Sequence, residues 1–73
     1  MNIALSADPC PLGRRQVEIV RMMANGKSVR EMSDVLGISH NTINSYIATA
    51  LDVTGTHKAT GLVAMCLRKG WIS

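Results

Sequence analysis

Three residues, Gly37-Ile38-Ser39, separate two stretches whose apolar side chains recur at helical spacing, and this short interval constrains the fold more than any other feature. Before it, Val29, Met32, Val35 and Leu36 mark one buried stripe. After it, Ile43, Ile47, Ala50 and Leu51 mark another. Glycine takes the left-handed conformation that ends a helix at no steric cost, and Ser39 is a ready N-cap for the next helix. The connection is therefore a tight turn, with no room for a strand or a long loop.

The flanking signals extend this pattern. Ser28 followed three residues later by Glu31 is a capping box that opens the helix ending at Leu36. The helix after the turn runs from His40 to about Val53, and its other faces carry Asn41, Asn44, Ser45, Ala48 and Asp52, a small and polar outer surface. Upstream, Val17, Ile19, Val20, Met23 and Ala24 predict a helix over Arg14 to Ala24, closed by Asn25-Gly26. Downstream, Thr54-Gly55-Thr56-His57 reads as a turn. Thr60 to Arg68 then carries Leu62, Val63, Cys66 and Leu67, with Gly70 as a stop signal. Residues 1–11 hold Pro9 and Pro11 and read as a flexible arm, leaving residues 12–73 as the domain. The expectation is an all-α fold of four helices.

A chain of 73 residues forms one domain with a small core, so a disulfide, a metal or a partner chain is the usual supplement. Cys10 and Cys66 are neither a disulfide framework nor a CxxC pair, and His40 and His57 lack zinc-ligand spacing to either thiol. Cys66 reads as a small buried hydrophobe and Cys10 as an exposed thiol. No metal and no cofactor are expected, and association with a second chain takes their place. Hydrophobic residues at 47% exclude disorder. No apolar run approaches the roughly 20 residues that span a bilayer. The start MNIALSADPCP lacks a basic segment and a long apolar one, so the chain reads as soluble and cytoplasmic. An enzyme would need a nucleophile beside an orienting base, or paired carboxylates in a cleft, and neither is present. The net charge of +3 permits nucleic-acid binding. Aromatics amount to 3%, without phenylalanine, so the stacking platforms for single strands are missing and duplex is favoured.

Two short helices joined by a glycine-cornered turn, the second polar outside and apolar inside, form a helix-turn-helix. A major groove about 12 Å wide admits one helix, while the preceding helix crosses the backbone and holds it at a fixed angle. From Leu12 to Ile72 the chain also resembles the LuxR/GerE-type DNA-binding domain. The shared pattern is Leu12, Arg15, Glu18 to Val20, Ala24, Gly26, Ser28, Glu31, Leu36-Gly37-Ile38-Ser39, Thr42-Ile43, Leu51, Gly55, Thr60 and Val63-Ala64.

The resemblance implies a four-helix domain that binds DNA as a dimer, with its last helix in the dimer contact and its third in the major groove. Carried over by position, it implies base contacts from Asn44, Ser45 and Ala48. Backbone contacts fall on His40, Asn41, Thr42, Tyr46 and Thr49 in the third helix, and on Arg14, Arg15, Lys27 and Lys58 outside it. Ser39 serves as a cap, a phosphate site or both, and Tyr46 serves a phosphate or the core edge. On the fourth helix, Gly61, Met65 and Arg68 are left on a face that a second chain would cover, while Leu62, Val63, Cys66 and Leu67 occupy the intramolecular stripe. Trp71 either closes the core or anchors an interface. Members commonly place Lys at the positions of Asn44 and Val53 and His at that of Tyr46. The third helix here has no Lys or Arg and carries Asp52, which lowers the expected phosphate attraction.

The expected function is that of a stand-alone transcriptional regulator, a homodimer binding specific duplex sites. The alternative is a protein-interaction module, such as an anti-activator that pairs with a larger LuxR-type regulator and binds DNA weakly. A larger regulator of the family or RNA polymerase would be the further partners.

Overall fold

The computed structural model describes residues 9–73, which form four α-helices and no strand: α1 (Arg14–Ala24), α2 (Val29–Leu36), α3 (His40–Thr54) and α4 (Ala59–Arg68). Of the arm expected over residues 1–11, the part up to residue 8 lies outside the described residues, and Pro9, Cys10 and Pro11 have no regular structure.

The boundaries around the central turn have local causes. At α2 the Ser28 hydroxyl accepts the Glu31 N–H at 3.1 Å, and the Glu31 carboxylate accepts the Ser28 N–H at 2.9 Å. At α3 the Ser39 hydroxyl accepts the Thr42 N–H at 3.1 Å. Gly13 precedes α1 and has no side chain to offer, so only the return half of a box forms there, with the Gln16 amide oxygen accepting the Gly13 N–H at 2.8 Å. Gly37 ends α2 with φ +68°, where any other L-residue would crowd its own Cβ against the following carbonyl. The turn is fastened further by the Ser33 hydroxyl, which donates to the Ile38 carbonyl at 2.6 Å. α3 runs one residue past Val53, because Thr54 stays helical with its hydroxyl donating to the Ala50 carbonyl at 2.7 Å.

The core has two parts that share α1 and α3. Ile19, Met32 and Ile43 are buried under the helix-turn-helix, with Met22, Val29, Leu36, Ile38, Tyr46 and Ile47 packed around them. Leu12, Val20, Ala50, Leu62, Cys66 and Ile72 are buried beneath α4, with Val17, Leu51, Val63 and Trp71 against them. Met23 touches both. Trp71 thus closes the core, and its N–H donates to the Cys66 carbonyl at 2.9 Å as the chain leaves α4.

Three apolar residues assigned to buried stripes are exposed. Val35 is 68% exposed, Leu67 is 50% exposed, and Ala24 is exposed. Helical residues advance by about 100° each, so Val35 lies on the far side of Met32 from Val29 and Leu36, and Leu67 is turned well away from Leu62 and Cys66. Among the described residues no helix is long and apolar enough to cross a membrane.

Candidate nucleic-acid interface

α3 is packed on one side only. Ile43 and Ala50 are buried and Ile47 and Leu51 half-buried, whereas Asn41, Asn44, Ser45, Ala48, Thr49 and Asp52 are exposed. At 1.5 Å rise per residue, the outer positions from Asn41 to Asp52 form a strip about 16 Å long. It is built from short neutral side chains until Asp52, so close approach of a flat or grooved surface meets little steric resistance. The Thr49 hydroxyl donates to the Ser45 carbonyl at 2.9 Å, and the Thr42 hydroxyl lies 2.9 Å from that of Ser39. Of these outer side chains, Asn41 and Asn44 each offer both an amide donor and a carbonyl acceptor from an exposed position, Asn44 in the second turn of the helix.

The ring of Tyr46 packs against the Ile19, Met32 and Ile43 cluster at the core edge. Ser39 is occupied as the cap of α3. His40 and Asn41 are exposed in the first turn of α3. The cations expected at phosphates lie outside α3. Arg14 begins α1, Lys27 stands between α1 and α2, and Lys58 immediately precedes α4, all exposed. Arg15 is engaged with Glu18 at 3.4 Å, a pair whose side chains are about 40% exposed and therefore easily exchanged for a phosphate.

Two polar residues that hold this surface in place were not singled out from sequence. Ser33 pins the turn, as above. Gln16 uses its amide nitrogen to donate to the Tyr46 carbonyl at 3.2 Å, which brings the first turn of α1, with Arg14 and Arg15, beside the middle of α3. Position three of a helix signals a capping glutamine, but the second bond depends on tertiary placement.

The titrating groups are structural. Glu31 is held below the usual carboxylate range, chiefly by the backbone N–H of Ser28, then by the Ser28 hydroxyl, with Lys27 adding its charge. Burial pushes the Cys66 thiol up, and the neighbouring Cys10 thiol adds to the shift, so Cys66 stays protonated and unreactive. Among the described residues no group of three or more His, Cys, Asp and Glu is placed to hold a metal ion.

On α4 the three residues expected at a subunit contact differ in exposure: Gly61 and Arg68 are exposed and Met65 is half-buried. Their flank of the helix lies about a quarter-turn, roughly 100°, from the one carrying Thr60, Ala64 and Leu67. That second flank borders an open apolar hollow of about 340 Å³, walled by α4 and by Met23 and Ala24 of α1.

Residues 10–66 match the family described as "Bacterial regulatory proteins, luxR family". The chain is 31% identical over 72 residues, 99% of its length, to the uncharacterized transcriptional regulatory protein YvfU of Bacillus subtilis, of which it covers 36%. It is 28% identical over 61 residues, 84% of its length, to the transcriptional regulatory protein DegU of Brevibacillus brevis, covering 26% of that protein. It is also 27% identical over 67 residues, 92% of its length, to the transcriptional regulatory protein DesR of Bacillus subtilis, covering 34%. The chain thus spans between a quarter and about a third of the length of these relatives. With residues 10–66 matched to one family and four helices arranged around a Gly37 turn, the chain belongs to the luxR family of bacterial regulatory proteins and is its helix-turn-helix domain.

Proposed function

We propose that this domain binds duplex DNA sequence-selectively as a two-fold dimer, with α3 in the major groove and α4 at the subunit contact, and so regulates transcription in the bacterial cytoplasm. The observation that carries the reading is the outer strip of α3, which the protein's own core leaves uncovered. Asn44 contacts a base edge, where an amide matches adenine bidentately. Ser45 and Ala48 supply a hydroxyl and a methyl to neighbouring bases. His40, Asn41, Thr42, Tyr46 and Thr49 line the sugar-phosphate backbone, Tyr46 through its hydroxyl while its ring stays in the core. Arg14, Arg15, Lys27 and Lys58 neutralise phosphates. The names of the relatives, transcriptional regulatory proteins, support this assignment.

Because α3 carries no cation, affinity comes from charges off the reading helix. Each phosphate neutralised contributes about −0.9 to the slope of log K against log salt, so these four cations predict a slope of about −3.6 per subunit at most. Selection from a randomised duplex pool at low salt tests the function. The expected result is enrichment of paired half-sites with centres about 34 Å, one helical turn, apart. No enrichment would overturn the reading. It would favour instead a module that binds a larger regulator and contacts DNA weakly, which the cation-free α3 and the apolar hollow beside α4 would suit.

A further inference from the structure

We propose that Gln16 is a positioning residue for DNA recognition: its side-chain amide sets the angle at which α3 is presented, and with it the ability of the domain to tell one base pair from another. This rests on the reading of α3 as the DNA-facing helix. Apolar packing, here Ile19 against Ile43 and its neighbours, fixes how closely α1 and α3 approach but is non-directional. A hydrogen bond is directional. The cap and turn hydrogen bonds of the domain join residues at most six apart, whereas Gln16 and Tyr46 are 30 apart.

The amide orientation is forced by its partners. Oε1 faces the Gly13 N–H at 2.8 Å and Nε2 faces the Tyr46 carbonyl at 3.2 Å. A flipped amide would set donor against donor and oxygen against oxygen. One side chain therefore ties the start of α1 to the backbone of α3 at residue 46, inside the Asn44-to-Ala48 segment proposed to meet the bases. The contact is made to a carbonyl, so only a donor can make it. A carboxylate in this place would keep the cap at Gly13 and lose the grip on α3.

Two variants isolate that grip. Gln16→Glu retains an oxygen for Gly13 but has no donor for Tyr46, and adds a charge. Gln16→Met is neutral and of similar length, and loses both bonds. What they share is the missing donor to Tyr46. The angle between α1 and α3 in the free protein is read from residual dipolar couplings. The ratio of affinities for a selected duplex and a scrambled one is read from titrations, with Asn44→Ala in parallel. The expected result is a changed interhelix angle in both variants and a ratio reduced roughly two- to tenfold, the equivalent of one hydrogen bond. The added charge of Gln16→Glu lowers binding to both duplexes alike, and Gln16→Met leaves scrambled-duplex affinity unchanged. An unchanged angle in both variants overturns the proposal, since Gln16 is then only a cap. A changed angle with an unchanged ratio also overturns it. If Asn44→Ala is silent as well in that case, the major-groove reading of α3 falls with it, and the two failures are told apart by the angle.

Discussion

Replacing Ile43 by alanine should be among the most damaging single changes in α3, whereas the same kind of truncation at Val35 should hardly register. Ile43 is fully buried at the back of α3 and meets Ile19 and Met32 in the cluster beneath the helix-turn-helix. Emptying such a site costs about 2–5 kcal/mol, the lost transfer energy plus the cavity left behind. Native domains have about 0.05–0.15 kcal/mol of stability per residue, so this chain of 73 residues has roughly 4–11 kcal/mol in all. Ile43→Ala therefore removes a large fraction of it. At about 4–8 °C per kcal/mol for a domain of this size, the melting temperature should fall by at least ~8 °C. Val35 is 68% exposed, and alanine is the better helix former, so Val35→Ala should stay within about 0.5 kcal/mol of the wild type. Thermal melts followed by circular dichroism decide between them. Equal costs at the two positions, or an Ile43→Ala protein that melts with the wild type, would refute the packing described for α2 and α3.

Two further outcomes follow from the caps and from α4. Glu31 has a folded-state pKa below its unfolded value, so its contribution to stability is present above about pH 4.3 and is lost as pH falls through the lowered folded value. Urea unfolding at neutral and acid pH should show a smaller acid loss for Glu31→Gln than for the wild type, and identical losses would count against the capping box. Met65→Glu places a carboxylate on the proposed subunit contact, where it would be buried without a partner. Sedimentation should find a dimer for the wild type and a monomer of unchanged helicity for the variant, and an unchanged mass would remove this flank of α4 from the interface.

What was legible in the sequence was local. A serine three residues before a glutamate, a glycine at a helix end and a serine after a two-residue turn act within one helical turn, and Ser28, Gly37 and Ser39 perform those roles in the fold. The outer strip of α3 was legible for the same reason, since spacing alone separates Asn44, Ser45 and Ala48 from Ile43 and Ala50. What failed depends on how helices meet. Val35 and Leu67 fit an apolar period, but α2 has only two turns and buries one edge, and α4 turns Leu67 toward solvent. The amide bond from Gln16 to Tyr46 joins residues that only the packing of α1 on α3 brings together. Tyr46 was ambiguous because a phenol suits a core edge, a phosphate or both, and its place against the core comes from how α1, α2 and α3 meet.

In the proposed complex a helix surface without cations reads base pairs while cations elsewhere hold the DNA. This division is tested most directly by titrating the wild type and Asn44→Ala, at one fixed salt concentration, against a selected duplex and every single-base-pair variant of it. Asn44→Ala should lose about 1–3 kcal/mol of preference at one base pair in each half-site and keep the remaining preferences. A variant that ranks all the duplexes as the wild type does would contradict it.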